Sequence, residues 1–316
     1  MRILVTGANG YLGAHITKCL SENNNEVIAL TRNKHKSDFP FSGNLEVVNG
    51  EITSKEVIDN LVEKFEFDAI VQLVSMDHKE SNRCAREVSK VNVLPTWELL
   101  EGFKNKGLKK FIYFSTAQVY GRTGPIKINE NTPCEPLNQY ALTHLMCEDV
   151  VSYYNRTSEI NCLNIRLSNS YGAPIFKENN CWWLVVNDLC KSAVYDEKIT
   201  LLSDGSPQRD FIHIRDVALS VKNLLDTGFS KDLETLNLCS GETKTILELA
   251  FVVKDQFEKR FDKKIDVITP NGVVTEIKKS CERFNFIPSL RDEMGITLST
   301  SLEDGINDLF DKLSEQ

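Results

Sequence analysis

Three glycines near the amino end constrain this chain more than any other feature. The apolar run from Arg2 to Val5 passes into Thr6-Gly7-Ala8-Asn9-Gly10-Tyr11-Leu12-Gly13, and a stretch with helical spacing begins near Leu12. A strand that turns sharply into a helix needs residues without side chains. Gly7 permits the tight turn, Gly10 lets backbone N–H groups approach a bound anion, and Gly13 allows helix and sheet to pack closely. The amino end of the helix offers unpaired N–H groups and the positive end of its dipole, a seat for a pyrophosphate. A glycine-rich turn without a ligand is the alternative, and the motif's position on the first strand and helix argues against it.

The segments that follow continue the pattern. Short β-rich runs at Val27 to Leu30, Leu45 to Val48, Ala69 to Leu73, Phe111 to Ser115 and Asn161 to Leu167 alternate with amphipathic stretches such as Glu56 to Lys64, Arg86 to Lys104 and Tyr140 to Asn155. That alternation predicts an α/β chain of the Rossmann type, a doubly wound parallel sheet covered on both faces. After about Asn169 it decays into helical stretches around Trp182 to Ala193 and Ile246 to Arg260, with one strand-like run at Thr235 to Leu238. The expected organisation is an NAD(P)-binding domain over 1–168, with segments from about 208–250 returning to it. A smaller, mainly substrate-binding lobe occupies 169–316, over the strand ends where open α/β sheets place ligands.

Charge and composition exclude several classes. The net charge is −8 with both signs interspersed, so no basic surface is set up to track nucleic acid. No apolar run approaches membrane-spanning length, and Met1 leads directly into the first strand, so the expectation is a cytoplasmic protein that does not enter a membrane. Nine cysteines, including Cys281, are scattered without C-x-x-C spacing, so no metal site is expected.

The end of the second strand should reveal the choice of cofactor. NAD-binding folds normally offer a carboxylate there to the ribose 2′-hydroxyl; this chain has Leu30-Thr31-Arg32-Asn33-Lys34. Arg32, with Lys34 or Lys36 nearby, could pair with a 2′-phosphate, which leans the reading toward NADP, unless these are solvated loop cations.

Further on, the fifth strand ends in Thr116-Ala117-Gln118-Val119-Tyr120-Gly121, and a helix begins near Tyr140-Ala141-Leu142-Thr143-His144. Tyr140 and His144, four apart, share a helical face. A threonine hydroxyl at a strand end and a phenol on the next helix can meet over a nicotinamide and move a proton to or from an alcohol while hydride moves the other way.

With these residues in place, the chain resembles the extended short-chain dehydrogenase/reductase family, in its nucleotide-sugar epimerase, dehydratase and reductase group. The resemblance runs over nearly the whole length. It also takes in Asn92, the run from Arg166 through Asn169 to Gly172, the run from Asp204 through Arg209 and Asp210 to Asp216, and Asn237 to Gly241. It implies Tyr140 as the proton-transfer residue, with Thr116 and His144 completing the catalytic set. The cofactor is implied to be held by Gly7, Asn9, Gly10, Tyr11, Leu12, Gly13, Arg32, Leu73, Asn92, Tyr140 and His144. A nucleotide-diphosphate sugar is implied as substrate, met by Thr116, Gln118, Asn169 and Arg209. A homodimer seamed by the helices around Arg86 to Lys104 and Tyr140 to Asn155 is implied as well.

Two departures from the family matter. His144 stands where the family nearly always has lysine; imidazole can hydrogen-bond but is mostly neutral at pH 7. Ala117 and Gln118 stand where the 4,6-dehydratases carry acids, and neither can act as acid or base. Val74-Ser75-Met76-Asp77-His78 also replaces a small pair common in the family, so Asp77 and His78 either line the pocket or are loop polars. The resulting expectation is a 4-keto reductase or 4-dehydrogenase, with an NAD-dependent C4 epimerase as alternative. A catalytically weak binding regulator is a further alternative.

Overall fold

The computed structural model describes residues 1–121, 124, 126–277 and 283–315; Cys281 lies outside them. In chain order the first half runs β1 (Arg2–Thr6), α1 (Tyr11–Ser21), β2 (Glu26–Thr31), β3 (Leu45–Asn49), α2 (Lys55–Lys64), β4 (Ala69–Gln72), α3 (His78–Ser81), α4 (Ala85–Asn92), α5 (Leu94–Phe103) and β5 (Lys110–Thr116). It continues with β6 (Lys127–Ile128), α6 (Gln139–Thr157), β7 (Asn161–Leu167), β8 (Asn169–Tyr171), α7 (Val185–Asp196), β9 (Lys198–Thr200), β10 (Gln208–His213), α8 (Ile214–Thr227) and β11 (Thr235–Leu238). The chain closes with β12 (Thr243–Thr245), α9 (Ile246–Phe261), β13 (Asp266–Thr269), β14 (Gly272–Val274), β15 (Asn285–Phe286), α10 (Ser289–Glu293) and α11 (Leu302–Ser314).

Seven parallel strands form the central sheet in the order β11-β7-β5-β4-β1-β2-β3. The period-two alternation of β1 explains why both faces are covered. Ile3 and Val5 enter one core with Ile16 and Leu20 of α1 and Val217 and Val221 of α8. Leu4 enters the other, with Leu61 of α2, Leu99 and Phe103 of α5, and Val151 of α6. The expected Rossmann-type doubly wound sheet is therefore what the chain forms.

A third core joins α7, α9 and α11 around Val186, Leu189, Leu249, Val253, Ile306 and Phe310, and forms the lobe. β11, read from sequence among the late segments, is the edge strand of the central sheet, paired with β7. α8 packs on the main core with it, whereas α9 belongs to the lobe. The stretch from Arg86 to Lys104 is two helices rather than one. Pro95 in the first turn of α5 cannot donate a hydrogen bond back into α4, and the helix restarts after Val93. α7 begins at Val185 rather than Trp182, because Leu184 N–H closes a turn onto the Cys181 carbonyl at 3.0 Å.

Among the described residues no helix is long and apolar enough to cross a membrane. None of their histidines, cysteines and acids cluster in a metal-binding group.

Candidate active site

The parallel sheet brings the glycine turn after β1 and the Thr116 end of β5 to the same carboxyl edge. Gly7 has φ of +60°, a left-handed conformation that favours glycine. A Cβ on Gly13 would lie 2.0 Å from the Gly7 carbonyl oxygen, and one on Gly10 3.0 Å from it. Gly10 is the N-cap of α1 and offers no side-chain cap, so the orphan N–H groups of the first turn are left for a ligand. This cradle fits a dinucleotide pyrophosphate. Around it, Leu12 and Leu73 pack against the core, and the Leu73 N–H donates to Thr6 Oγ1 at 3.0 Å.

The segment after β8 is fastened onto this turn. Tyr11 Oη donates to the Gly172 carbonyl at 2.9 Å, His15 Nε2 to the Ala173 carbonyl at 3.0 Å, and Asn179 Nδ2 to the Asn9 carbonyl at 3.0 Å. At the end of β2, Arg32 is exposed, whereas Lys34 forms an ion pair with Glu178 of the same fastened segment. Lys36 is exposed in a short turn beyond.

On the opposite wall, Thr116 Oγ1 accepts the Gln118 N–H at 3.2 Å, which fixes the hydroxyl where β5 ends. Asn138 caps α6 by accepting the Ala141 N–H at 2.8 Å, and its amide reaches Gln118 Oε1 at 3.3 Å. The first turn of α6 then carries Tyr140 against Thr116. Burial pushes the Tyr140 phenol up to about 12; the Thr116 hydroxyl beside it opposes that rise and the Asp77 carboxylate adds to it. At pH 7 a group titrating there is ionised in roughly one molecule in 10⁵.

His144 does not supply the missing charge. It is 2% exposed, its ring lies 4.5 Å from the Tyr140 ring, and its Nδ1 shares a 2.8 Å hydrogen bond with Tyr113 Oη. Burial lowers its pKa to about 4, opposed only by the Phe114 main chain, so the ring is neutral at pH 7. Its Nε2 is buried without a hydrogen-bond partner. The imidazole preserves the packing of a side chain under Tyr140 without a positive charge.

The remaining candidates divide. His78, exposed on α3, sets its ring edge-on to Tyr140 at 6.1 Å, while Asp77 caps α3 through the Lys79 and Glu80 N–H groups. Asn92 is fully buried: its Nδ2 donates to Thr143 Oγ1 at 2.9 Å and its Oδ1 accepts the Met76 N–H at 2.7 Å, so its side chain ties the chain after β4 to α6. Asn169 Nδ2 donates to the Asp210 carbonyl at 3.0 Å. Arg209 is exposed, and its guanidinium reaches the Gln208 carbonyl at 2.6 Å. A purely structural role for Arg209 would call on Asp210 or Asp216. Asp210 is taken by Ser240 and Gly241, and Asp216 by Ser299 and Thr300.

Sequence reasoning missed the foundation of this wall. Arg166 of β7 and Glu148 of α6 form a buried ion pair, with Nη2 to Oε2 at 2.7 Å and Nε to both carboxylate oxygens at 3.1 Å. Arg166 Nη1 donates to Tyr120 Oη at 2.9 Å, and Tyr120 Oη donates to Asn237 Oδ1 at 2.7 Å. An arginine in a strand whose residues 162–167 are all buried was the available signal.

A doubly wound sheet with this glycine turn and lobe defines the extended short-chain dehydrogenase/reductase type. The pattern of the NAD dependent epimerase/dehydratase family matches residues 3–239, and the chain belongs to that family. A putative UDP-glucose 4-epimerase of Methanocaldococcus jannaschii is 27% identical over 255 residues, which are 80% of this chain and 82% of that protein. Bacillus cereus UDP-glucuronic acid 4-epimerase, solved with UDP-glucuronic acid and NAD, matches with a TM-score of 0.81 at 22% identity, covering 100% of this chain and 99% of that one. Thermus thermophilus UDP-glucose 4-epimerase, solved with NAD, matches with a TM-score of 0.81 at 22% identity over 99% of both chains. At that identity the likeness to the two solved proteins shows a shared fold.

Proposed function

We propose that this chain is an NAD(P)-dependent nucleotide-sugar 4-epimerase. The observation that carries the reading is the Tyr140 phenol set against the Thr116 hydroxyl, with Ala117 and Gln118 following where an elimination would need an acid. Epimerisation needs one group that takes a proton and returns it. In its ionised form Tyr140 would take the C4 hydroxyl proton as hydride leaves that carbon, giving a 4-keto sugar; Thr116 would hold the same oxygen. Return of the hydride to the opposite face, with Tyr140 giving the proton back, inverts the centre. The bound dinucleotide supplies the hydride acceptor and donor.

In this reading residues 1–168, with α8 and β11, hold the dinucleotide, and the rest of the lobe holds the sugar nucleotide. Arg209 suits the diphosphate, since its guanidinium is exposed and uncommitted to either neighbouring aspartate. The 4-keto reductase reading draws on exposed Arg32 and Lys36, yet Lys34, the other neighbouring cation in the NADP argument, is engaged by Glu178. A homodimer fits the exposed Leu94 and Trp97 of α5 beside Leu142, Met146 and Tyr153 of α6.

The test incubates purified protein with UDP-glucose, UDP-glucuronic acid or UDP-N-acetylglucosamine. An epimerase converts one of them to its 4-epimer with no net change in nicotinamide absorbance; net formation of reduced cofactor from added NAD(P)+ favours the 4-dehydrogenase, which is the reductase run in reverse. Tyr140→Phe should lower turnover by about 10²–10⁴-fold while dinucleotide affinity holds. A variant that turns over normally removes Tyr140 from the mechanism, and a wild type inactive on every sugar nucleotide leaves the regulator.

A further inference from the structure

The end of β2 lacks the carboxylate that folds of this kind set against the adenosine ribose. The fold brings one there from far along the chain. Glu178, between β8 and α7, ion-pairs with Lys34, three residues past β2.

The placement is built on both sides. The Lys34 N–H donates to Thr31 Oγ1 at 3.2 Å and to Asn49 Oδ1 at 3.1 Å, which fixes the loop to β2 and β3. The Lys34 ammonium also lies 5.1 Å from the ring centre of Phe176, which is itself buried against Phe39 at 5.2 Å. On the other side of Glu178, Asn179 is bonded to the Asn9 carbonyl in the glycine turn. Glu178 is thus held between the turn that seats a pyrophosphate and the loop where a ribose would be read. Its side chain remains 55% exposed, so the carboxylate is anchored yet accessible. The hydrogen bond from Lys34 lowers its pKa below the usual glutamate value, which keeps it ionised at neutral pH.

We propose that Glu178 supplies the ribose-reading carboxylate that β2 lacks, and that the protein consequently selects NAD over NADP. This rests on the dinucleotide reading of the glycine turn. A 2′-hydroxyl can donate to the carboxylate, whereas a 2′-phosphate meets like charge and a lysine whose own charge is already matched. With Lys34 matched, exposed Arg32 and Lys36 are the cations left near this loop for an added phosphate. Selection works by penalising the wrong cofactor as much as by rewarding the right one.

The experiment is a calorimetric titration of the full-length protein, stripped of any co-purified nucleotide, with NADH and separately with NADPH. Wild type should bind NADH at least about tenfold more tightly, and Glu178→Gln should shrink that ratio about fivefold or more, weakening NADH and strengthening NADPH. Lys34→Gln, which frees the carboxylate, should leave NADH preferred. A wild-type preference for NADPH, or a ratio unchanged within about twofold in Glu178→Gln, overturns the proposal while leaving the dinucleotide reading intact. If wild type binds neither compound, the reading of the turn fails and the proposal with it. Melting curves of the variants exclude misfolding as the cause of any shift.

Discussion

The glycine turn after β1 and the wall around Tyr140 lie at the same edge of one sheet and are built on opposite principles. At the turn the working groups are main-chain N–H donors, so what matters is the space that side chains leave free. At the wall they are side chains, so what matters is charge. The turn keeps the family pattern at Gly7, Gly10 and Gly13, where a Cβ at the last would fall 2.0 Å from a carbonyl oxygen. The wall packs a buried, neutral histidine beside Tyr140, at the position where the resemblance implies lysine. A steric requirement tolerates no substitute, whereas an electrostatic one can be traded for slower or differently tuned chemistry.

The largest effect that would sharpen this contrast lies beneath the wall. Arg166→Met leaves the Glu148 carboxylate buried without its cation and should cost about 3–5 kcal/mol in a denaturant titration. A loss under about 1 kcal/mol would mean water already reaches the pair. Next comes the turn: Gly13→Ala forces the Gly7 peptide to move, and should cost about 1–3 kcal/mol and remove measurable dinucleotide binding. Retained affinity would break the claim that the turn is limited by space.

Acid provides a graded test. Buried His144 and His213 and half-buried His15 all have pKa values lowered to about 4 from an ordinary 6.5. Between those values the unfolded chain takes up protons that the folded chain refuses. Stability contributed by the neutral rings is therefore full above pH 6.5 and declines toward pH 4, by up to about 1.4 kcal/mol per pH unit for each ring. His144→Gln should show a shallower decline in thermal melts over that window; an identical slope would place a charge on the wild-type ring. The smallest effect concerns rate: His144→Lys should raise turnover at pH 7 about tenfold and move the alkaline optimum downward, equivalent to about one pKa unit on Tyr140. A slower variant would show that the histidine is adapted to its place.

Much of the fold was legible because period-two and helical patterns are local. The strands Asn161–Leu167 and Thr235–Leu238 stand where the sequence sets them. Their partners were not legible: β11 sits beside β7 although the chain visits the lobe between them. The break at Val93 hid inside a continuous apolar pattern whose only punctuation was Pro95. In the site, Tyr140, Thr116 and His144 could be read from spacing on neighbouring elements. Glu148 with Arg166, and Glu178 with Lys34, could not, since each pair unites residues from separate elements only in the folded chain.

The hydrogen bonds that fasten Gly172, Ala173 and Asn179 to α1 and its turn carry a kinetic consequence. On the proposed reading, a nucleotide seated on the turn would lie beside this strap, and loosening the strap is expected to speed its escape. Residence time would then depend on three hydrogen bonds from the side chains of Tyr11, His15 and Asn179 to backbone carbonyls. Such an arrangement suits a catalyst that reuses one resident carrier over many turnovers better than one that exchanges it every cycle.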